Sequence, residues 1–409
     1  MRMTQSSQNT ELRRSLSLPL VVLYGLGVTI GAGIYVLIGA TAGKAGIYAP
    51  LSFVLAAFVM IFSAASMAEL SARFPVSAGE AAYIRNGLRS PLLALGTGLL
   101  VVTSGLISAA TVSIGSAGYI QSLIHLPDAV IIALVIICMG LIALWGITES
   151  VTFAAIFTFV EVAGLVAIVV AALWNEPEIV QEIPKVIPSF TDFEAFGAIS
   201  AAGLLAFFAF IGFEDIVNLA EETKNPSKTI PWAIFLTLIG ATLVYVAVVT
   251  IAVLTVPIDE LSGSNAPVGL LFERITGASP LVITLIAIVA TLNGVIIQMI
   301  MASRVLYGLG KQGCLPAMFA KVSRRTQTPV VSTMIVIVII LALALVFPIN
   351  SLAEMTSRVA LTVFTLINLS LIRIKLRGEK AEEGIFQVRL WVPVLGFITC
   401  VGFLASSFV

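Results

Sequence analysis

The chain has 409 residues, of which 59% are hydrophobic and only 11% are charged. Because an ordinary soluble domain carries about a quarter charged residues, this composition excludes a water-soluble globular fold. The 22 basic residues balance the 22 acidic ones, so the net charge is zero and no nucleic-acid partner is expected. Apolar runs of about 20 residues, the length that crosses a lipid bilayer, recur along the chain and predict an all-α polytopic membrane protein.

Eleven membrane helices are predicted, named α1 to α11 in chain order. Their expected ranges are 18–41, 49–72, 91–124, 128–147, 151–174, 195–220, 231–256, 279–308, 329–348, 352–373 and 390–408. With a cytoplasmic N-terminus, 18 of the 22 Lys and Arg residues fall on the inner side and three on the outer side. This positive-inside bias predicts a multi-pass protein of the cell membrane, inner or plasma, with its N-terminus in the cytoplasm.

The first predicted helix contains the glycine-rich stretch GVTIGAGIYV, residues 27–36. Two interpretations of Gly31 and Gly33 stay open. Small residues let membrane helices pack closely. Alternatively, the two glycines interrupt the helix, and the half-helix that follows directs free N–H groups at a bound carboxylate. Such an unwound segment is tolerated at membrane depth only where it lines a cavity or is buried in protein.

The apolar part of the sixth predicted helix reaches Ile211, Gly212 and Phe213, and two carboxylates, Glu214 and Asp215, then follow directly. An ionisable residue inside a membrane span is costly and indicates a function. The candidate breaks in α1 and α6 each lie in the first helix of a set of five. Because five is an odd number, the two sets have opposite orientations in the membrane. Inverted repeats with paired broken helices are typical of secondary transporters.

The expected organisation has five parts. They are a cytoplasmic tail (1–17), a first five-helix repeat (18–174), an extracellular loop (175–194), a second, inverted five-helix repeat (195–375), and an inner loop with the eleventh helix (376–409). One histidine and three scattered cysteines give no metal or cofactor site, and no nucleophile cluster points to an enzyme. A channel would need a continuous polar pore, and a sensor would usually add a soluble domain, so both are remote alternatives.

Four stretches carry a family resemblance: GVTIGAGIYV, FPVSAGEAAYI (74–84), FAFIGFEDIVNLAEETKNPSKTIPWAI in and after α6, and MASRVLYGLGKQGCLP (301–316). With them the chain resembles the amino acid–polyamine–organocation transporter superfamily, in particular its cationic-amino-acid-transporter-like branch. The resemblance implies a leucine-transporter-type fold with a five-plus-five inverted repeat. It also implies that amino acids or related amines are transported by alternating access.

The resemblance also implies roles for individual residues. Backbone N–H groups of Gly31, Ala32 and Gly33 would hold the substrate carboxylate. Phe208 would close over the substrate as a gate, and Glu214 would take part in proton coupling. The remaining residues of the implied substrate site would contribute backbone carbonyls for the amine or line its apolar wall: Val28, Thr29, Ile30, Phe207, Phe210 and Ile211. Asp215 is expected to cap a helix or pair with a basic residue at an inner gate.

Glu161 in α5 stands where proton-coupled relatives carry a lysine that replaces a sodium ion. Three roles stay open for it: a carboxyl that loads and releases a proton, a ligand of a cation such as sodium, or an ion-pair partner of Arg358. The apolar stretch of α6 slightly favours a neutral amino acid substrate over a cationic one. The expected function is a proton-coupled amino acid permease in the lipid bilayer. The alternative is an exchanger of amino acids or polyamines without net proton coupling.

Overall fold

The computed structural model describes residues 14–76, 79–145, 151–311, 313, 315–323, 326 and 328–407; the side chains of Ala32 and residues 151–154 lie outside this description. Its described part consists of helices joined by short connections, with one isolated bridge between Leu16 and Thr223. That bridge joins the segment before the first helix to the connection that follows the sixth. The predicted all-α class is confirmed.

Eleven long apolar helices lie at the predicted positions in the described chain. Their bounds are α1 Leu18–Ala45, α2 Ala49–Arg73, α3 Pro91–Gln121, α4 Asp128–Trp145, α5 Val151–Asn175, α6 Phe193–Phe210, α7 Pro226–Thr255, α8 Leu281–Lys311, α9 Val330–Val346, α10 Ile349–Leu376 and α11 Trp391–Ser406. Eight apolar stretches have the length and composition to cross a membrane, and the first of them, Gly33–Arg73, runs from α1 through α2. At 17 and 16 residues, α9 and α11 are shorter.

Shorter elements connect the long helices. The one that bears on function is the linker helix Gly79–Leu88 between α2 and α3. Four segments lie in the connections that follow α5 and α7: Ile179–Glu182, the 3₁₀ turn Ile183–Val186, Ile258–Gly263 and Pro267–Thr276. The sixth helix continues, after a break, as the 3₁₀ segment Phe213–Leu219.

Helix packing follows the expected internal symmetry. When α1–α5 and α6–α10 are paired in order, α1 packs on α6, α2 on α7, α3 on α8 and α4 on α9. The cross-contacts also match, since α1 packs on α7 as α2 packs on α6. Contacts between equivalent helices are expected when two repeats are related by a two-fold axis between them. The packing is that of a five-plus-five, leucine-transporter-type fold.

Ion pairs join α10 to the first repeat at both of its ends. Near its start, Glu354 pairs with Lys44 of α1. Near its end, Lys375 donates to the carboxylate of Glu69 in α2 at 2.8 Å, and the same fully buried carboxylate accepts from Arg73 at 2.7 Å. A buried carboxylate is tolerated when it is paired in this way. Each ion pair joins helix ends that are predicted to face the same side of the membrane.

Candidate functional site

The predicted break in the sixth helix is present. Helix α6 ends at Phe210, Ile211 is extended, and Gly212 has φ +123°, a value that side-chain-bearing residues rarely adopt. A Cβ at Gly212 would also lie 3.0 Å from the carbonyl oxygen of Val28 in α1. Glycine is therefore required at this position both by backbone conformation and by the close approach of α1.

The expected break in α1 is not found. The backbone is helical from Leu18 to Ala45, through Gly31 and Gly33. A Cβ at Gly33 would lie 2.2 Å from Cα of Ala209 in α6, and one at Gly31 would lie 3.2 Å from the carbonyl oxygen of Ala290 in α8. The expectation was wrong for this conformation because these glycines serve close helix packing, the other interpretation of the motif.

The structure brings the two predicted binding segments together. Every predicted residue whose side chain is described is buried: Val28, Thr29, Ile30, Gly31, Gly33, Phe207, Phe208, Phe210 and Ile211. A residue that the sequence did not indicate joins them, because the hydroxyl of Tyr245 in α7 lies 2.7 Å from the carbonyl oxygens of both Thr29 and Ala209. Its single proton can be donated to one of them at a time, so Tyr245 fixes α7 against α1 and α6.

The three phenylalanines of α6 that belong to the predicted site have different surroundings. The ring of Phe207 has its centroid 6.1 Å from that of Phe403, so it packs towards α11. The ring of Phe210 lies 5.0 Å from that of Tyr245 in α7. Phe208 is 2% exposed, which excludes a lipid-facing position. Its role as a gate remains a prediction.

A cavity of about 20 Å³ lies beside the break of α6. It is enclosed by α3, α6 and its continuation, α8, α10 and the linker helix, through Glu80, Val101, Ser104, Gly105, Ile211, Glu214, Asp215, Gln298, Met301, Ala360, Val363 and Phe364. This volume holds one or two water molecules. Because small-molecule sites usually have about 300 Å³ or more, the cavity in this conformation is closed to an amino acid.

Three carboxyl groups contribute to the wall of this cavity, of which those of Glu80 and Asp215 are buried and that of Glu214 is partly buried. Glu214 accepts a hydrogen bond from the backbone N–H of Gly212 at 2.8 Å. Among the described residues, Oδ2 of Asp215 and Oε1 of Gln298 are buried without a hydrogen-bond partner. The expected pairing of Asp215 with a basic residue is not found in this conformation, because the cavity that it lines has no Lys or Arg among its lining residues. Its expected role as a helix cap stays a prediction.

The third carboxyl belongs to Glu80, which the sequence analysis did not single out. In the sequence, Glu80 lies in FPVSAGEAAYI, where it looks like an ordinary charged residue of a predicted inner loop. The structure instead places it in the linker helix with 6% exposure. Burial raises the pKa of Glu80 to about 7, although a hydrogen bond with its own backbone lowers it.

Glu161 of α5 forms a separate buried acidic position. Both of its carboxylate oxygens lack a hydrogen-bond partner among the described residues. A Cβ at Gly31 would lie 3.3 Å from its Oε2, so the carboxylate faces α1 at the glycine pair. Of the three roles left open for Glu161, the ion pair with Arg358 is not formed in this conformation, and that guanidinium donates to the carbonyl of Ser407 at 2.9 Å.

The sequence of this chain is similar to those of known transporters. The sequence model of the amino acid permease family matches residues 16–409. The chain is 30% identical to the branched-chain amino acid permease BcaP of Bacillus subtilis, covering 90% of this chain and 82% of that protein. It is 29% identical to the vacuolar cationic amino acid transporter 4 of Arabidopsis thaliana, covering 87% of this chain and 62% of that longer protein.

Among solved structures, the manganese transporter of Eremococcus coleocola, in complex with an aromatic bis-isothiourea substituted compound, aligns with a TM-score of 0.67. The alignment covers 99% of this chain and 90% of that one at 13% identity, so the likeness concerns the fold. The family match over nearly the whole chain, together with the broken sixth helix, identifies the chain as a multi-pass membrane protein that belongs to the amino acid permease family of the amino acid–polyamine–organocation superfamily.

Proposed function

We propose that this chain is a secondary active amino acid transporter that is coupled to protons and works by alternating access. It would lie in the cell membrane with its N-terminus in the cytoplasm. The observation that carries the proposal is Glu214, a membrane-embedded carboxyl directly after the broken sixth helix, in a cavity lined by no Lys or Arg. Ionisable groups held at such cost inside a membrane protein serve ion or substrate movement.

The substrate site would form between α1 and α6 when these helices separate. In the closed conformation Gly33 lies against Ala209, and the nearby cavity has a volume of about 20 Å³. Separation at this contact would give an amino acid access to the backbone of α1 from Val28 to Gly33 and to the end of α6. Local unwinding at Gly31, Ala32 and Gly33 would then free N–H groups for the substrate carboxylate. Phe208 would close over the bound substrate.

Proton coupling would act through Glu214. A proton on this carboxyl removes a charge from a poorly hydrated position and so favours the closed conformation. Release of the proton would restore the charge and favour opening towards water. A conformational equilibrium that depends on protonation is what couples proton flux to substrate movement.

Glu161 is a second candidate for ion coupling because its carboxylate is buried without a partner at the contact of α1 with α5 and α8. A proton on this carboxyl would neutralise the buried charge. A sodium ion bound between the carboxylate and the carbonyl of Ala290 would do so as well. Substrate uptake measured with sodium and with choline as the main cation separates these two roles.

Substitution Glu214→Gln tests the proton role, since it preserves shape and removes the titrating group. In proteoliposomes, an inward proton gradient of about one pH unit corresponds to about a tenfold ratio of proton concentrations. It can therefore drive about tenfold accumulation of substrate per coupled proton. We expect the wild type to accumulate a radiolabelled amino acid from a panel that includes leucine and lysine. The variant should lose most of the gradient-driven component.

Glu273→Gln is the matched control because Glu273 is exposed, lies in the connection that follows α7 and does not line the cavity. It should accumulate substrate as the wild type does. Gradient-driven accumulation that survives Glu214→Gln unchanged would refute the coupling role of Glu214. Wild-type protein that exchanges amino acids but never accumulates them under a proton gradient would indicate an exchanger instead.

A further inference from the structure

We propose that Glu80 of the linker helix is a further proton-coupling residue, which exchanges a proton with Glu214 and Asp215 across the small cavity beside the broken sixth helix. This inference rests on the proposed proton-coupled function and extends it to a residue outside the membrane helices. The three carboxyl groups would act as one set that takes up and releases a proton between the substrate site and the inner side.

The linker helix is held firmly against the broken sixth helix. It packs on α3 and α10. At its first residue, a Cβ on Gly79 would lie 2.4 Å from Cγ2 of Val217, a residue of the 3₁₀ segment Phe213–Leu219. This close approach sets Glu80 beside the segment that carries Glu214 and Asp215, and all three acidic residues line the same cavity.

The cavity offers hydrogen-bond acceptors that need a donor. Oδ2 of Asp215 and Oε1 of Gln298 are buried without a partner among the described residues, and Gln298 is 7% exposed. Three carboxylates without a cation would repel one another strongly in such a poorly hydrated space. A proton held among them, with one or two waters in the cavity, satisfies both the charge and the acceptors.

Basic residues on the neighbouring helices do not neutralise the three carboxyl groups. Arg85 on the linker helix, Arg304 on α8 and Arg373 on α10 are exposed, and none of them lines the cavity. Tyr83, one turn after Glu80, is fully buried, and this burial, together with the nearby Glu80 charge, keeps the pKa of its hydroxyl well above the usual value. Outside the membrane helices, Glu80 is therefore the group of this set that can exchange a proton near neutral pH, because burial raises the pKa of its carboxyl to about 7.

The proton step is balanced within the set. The O–H bond of the Glu214 carboxylic acid breaks, its proton passes to a cavity water, and that water gives a proton to the Glu80 carboxylate. Glu214 is left ionised and Glu80 neutral. Glu80 then releases its proton to water on the side of the linker helix, which is predicted to be the cytoplasm. No other bond changes.

The test uses full-length protein in proteoliposomes that contain the pH-sensitive dye pyranine. Leucine and lysine, radiolabelled, serve as transport probes in two assays. One measures accumulation and proton entry under an inward gradient of about one pH unit. The other measures amino acid exchange at equal pH on both sides, which requires no net proton movement. The variants are Glu80→Gln, which cannot exchange a proton, and Glu80→Asp, which can; Glu382→Gln is the control because Glu382 is exposed in the loop between α10 and α11.

We expect Glu80→Gln to reduce gradient-driven accumulation from about tenfold towards onefold, because a gradient of about one pH unit drives a factor of about ten. Proton entry reported by pyranine should fall in parallel. Amino acid exchange at equal pH should fall much less. Glu80→Asp should keep coupling, with the pH midpoint of uptake displaced. The control should match the wild type in both assays.

Several outcomes would overturn the inference. Glu80→Gln with wild-type accumulation and an unchanged pH profile excludes Glu80 from coupling. Equal loss of exchange and accumulation in both Glu80 variants would make its role structural. If Glu80→Gln does not fold, an unchanged pH profile of Glu80→Asp decides against the inference. Wild-type protein that transports without any response to the proton gradient would instead refute the proposed function itself.

Discussion

The two glycine-containing helices that open the two repeats differ in a way that composition does not reveal. Helix α1 has more glycine, with Gly27, Gly31 and Gly33 inside one stretch, and yet it is helical throughout. Helix α6 has a single glycine at its break, and there the chain leaves the helix at φ +123°. The number of glycines in a helix therefore does not predict a break. The break in α6 depends on the backbone conformation that one glycine adopts.

The glycines serve different purposes in the two helices. The glycines of α1 remove side chains at contacts with other helices, so that backbones approach each other. Gly212 permits a conformation that other residues avoid. In the closed conformation α1 is thus a continuous surface against which the break of α6 is packed. Alanine substitutions at these positions therefore distinguish glycine needed for close packing from glycine needed for backbone conformation.

The largest effect is expected from Gly212→Ala. Alanine at φ +123° is strained, and its Cβ would also lie 3.0 Å from the carbonyl oxygen of Val28. Backbone strain of this kind costs about 1–3 kcal/mol and the contact adds to it, so the variant should lose about 3 kcal/mol or more. Thermal unfolding of the purified variant in detergent measures this. A melting temperature equal to that of the wild type would show that α6 does not need this break.

A somewhat smaller loss is expected from Gly33→Ala. The backbone conformation suits alanine, but its Cβ would lie 2.2 Å from Cα of Ala209. Forcing α1 away from α6 should cost about 1–3 kcal/mol, as overpacking does in other cores. Gly197→Ala in α6 is the matched control, because no atom lies within 4 Å of its Cβ and alanine favours a helix. Equal unfolding temperatures for the two variants would contradict the close contact of α1 with α6.

The smallest effect is expected from Gly31→Ala. Its Cβ would lie 3.2 Å from the carbonyl oxygen of Ala290 and 3.3 Å from Oε2 of Glu161, which requires only a slight adjustment. Alanine gains about 1 kcal/mol over glycine in a helix interior, which offsets much of that adjustment. Stability within about 1 kcal/mol of the wild type is therefore expected. A loss as large as that of Gly33→Ala would show that α1 is not an ordinary helix at Gly31.

Much of the architecture could be predicted from the sequence because its dominant signals are long. Apolar runs, charge placement and the acidic pair after Gly212 located eleven helices and the break in α6. The shape of α1 could not be predicted, since packing glycines and breaking glycines look alike until their neighbours are known. Glu80 was missed because a single acidic residue in a predicted loop carries no signal of burial. Arg358 donates to Ser407, directly after α11 and far along the chain, so this contact could not be predicted either.

Thermal unfolding of the detergent-purified wild-type protein against a panel of amino acids and polyamines tests whether α1 and the broken α6 form an amino acid site. An amino acid at about 100 times its dissociation constant should then stabilise the protein by roughly 2.7 kcal/mol, seen as a raised melting temperature. A rise confined to one chemical group of amino acids is the predicted result. A folded sample whose melting temperature responds to no amino acid would contradict the claim.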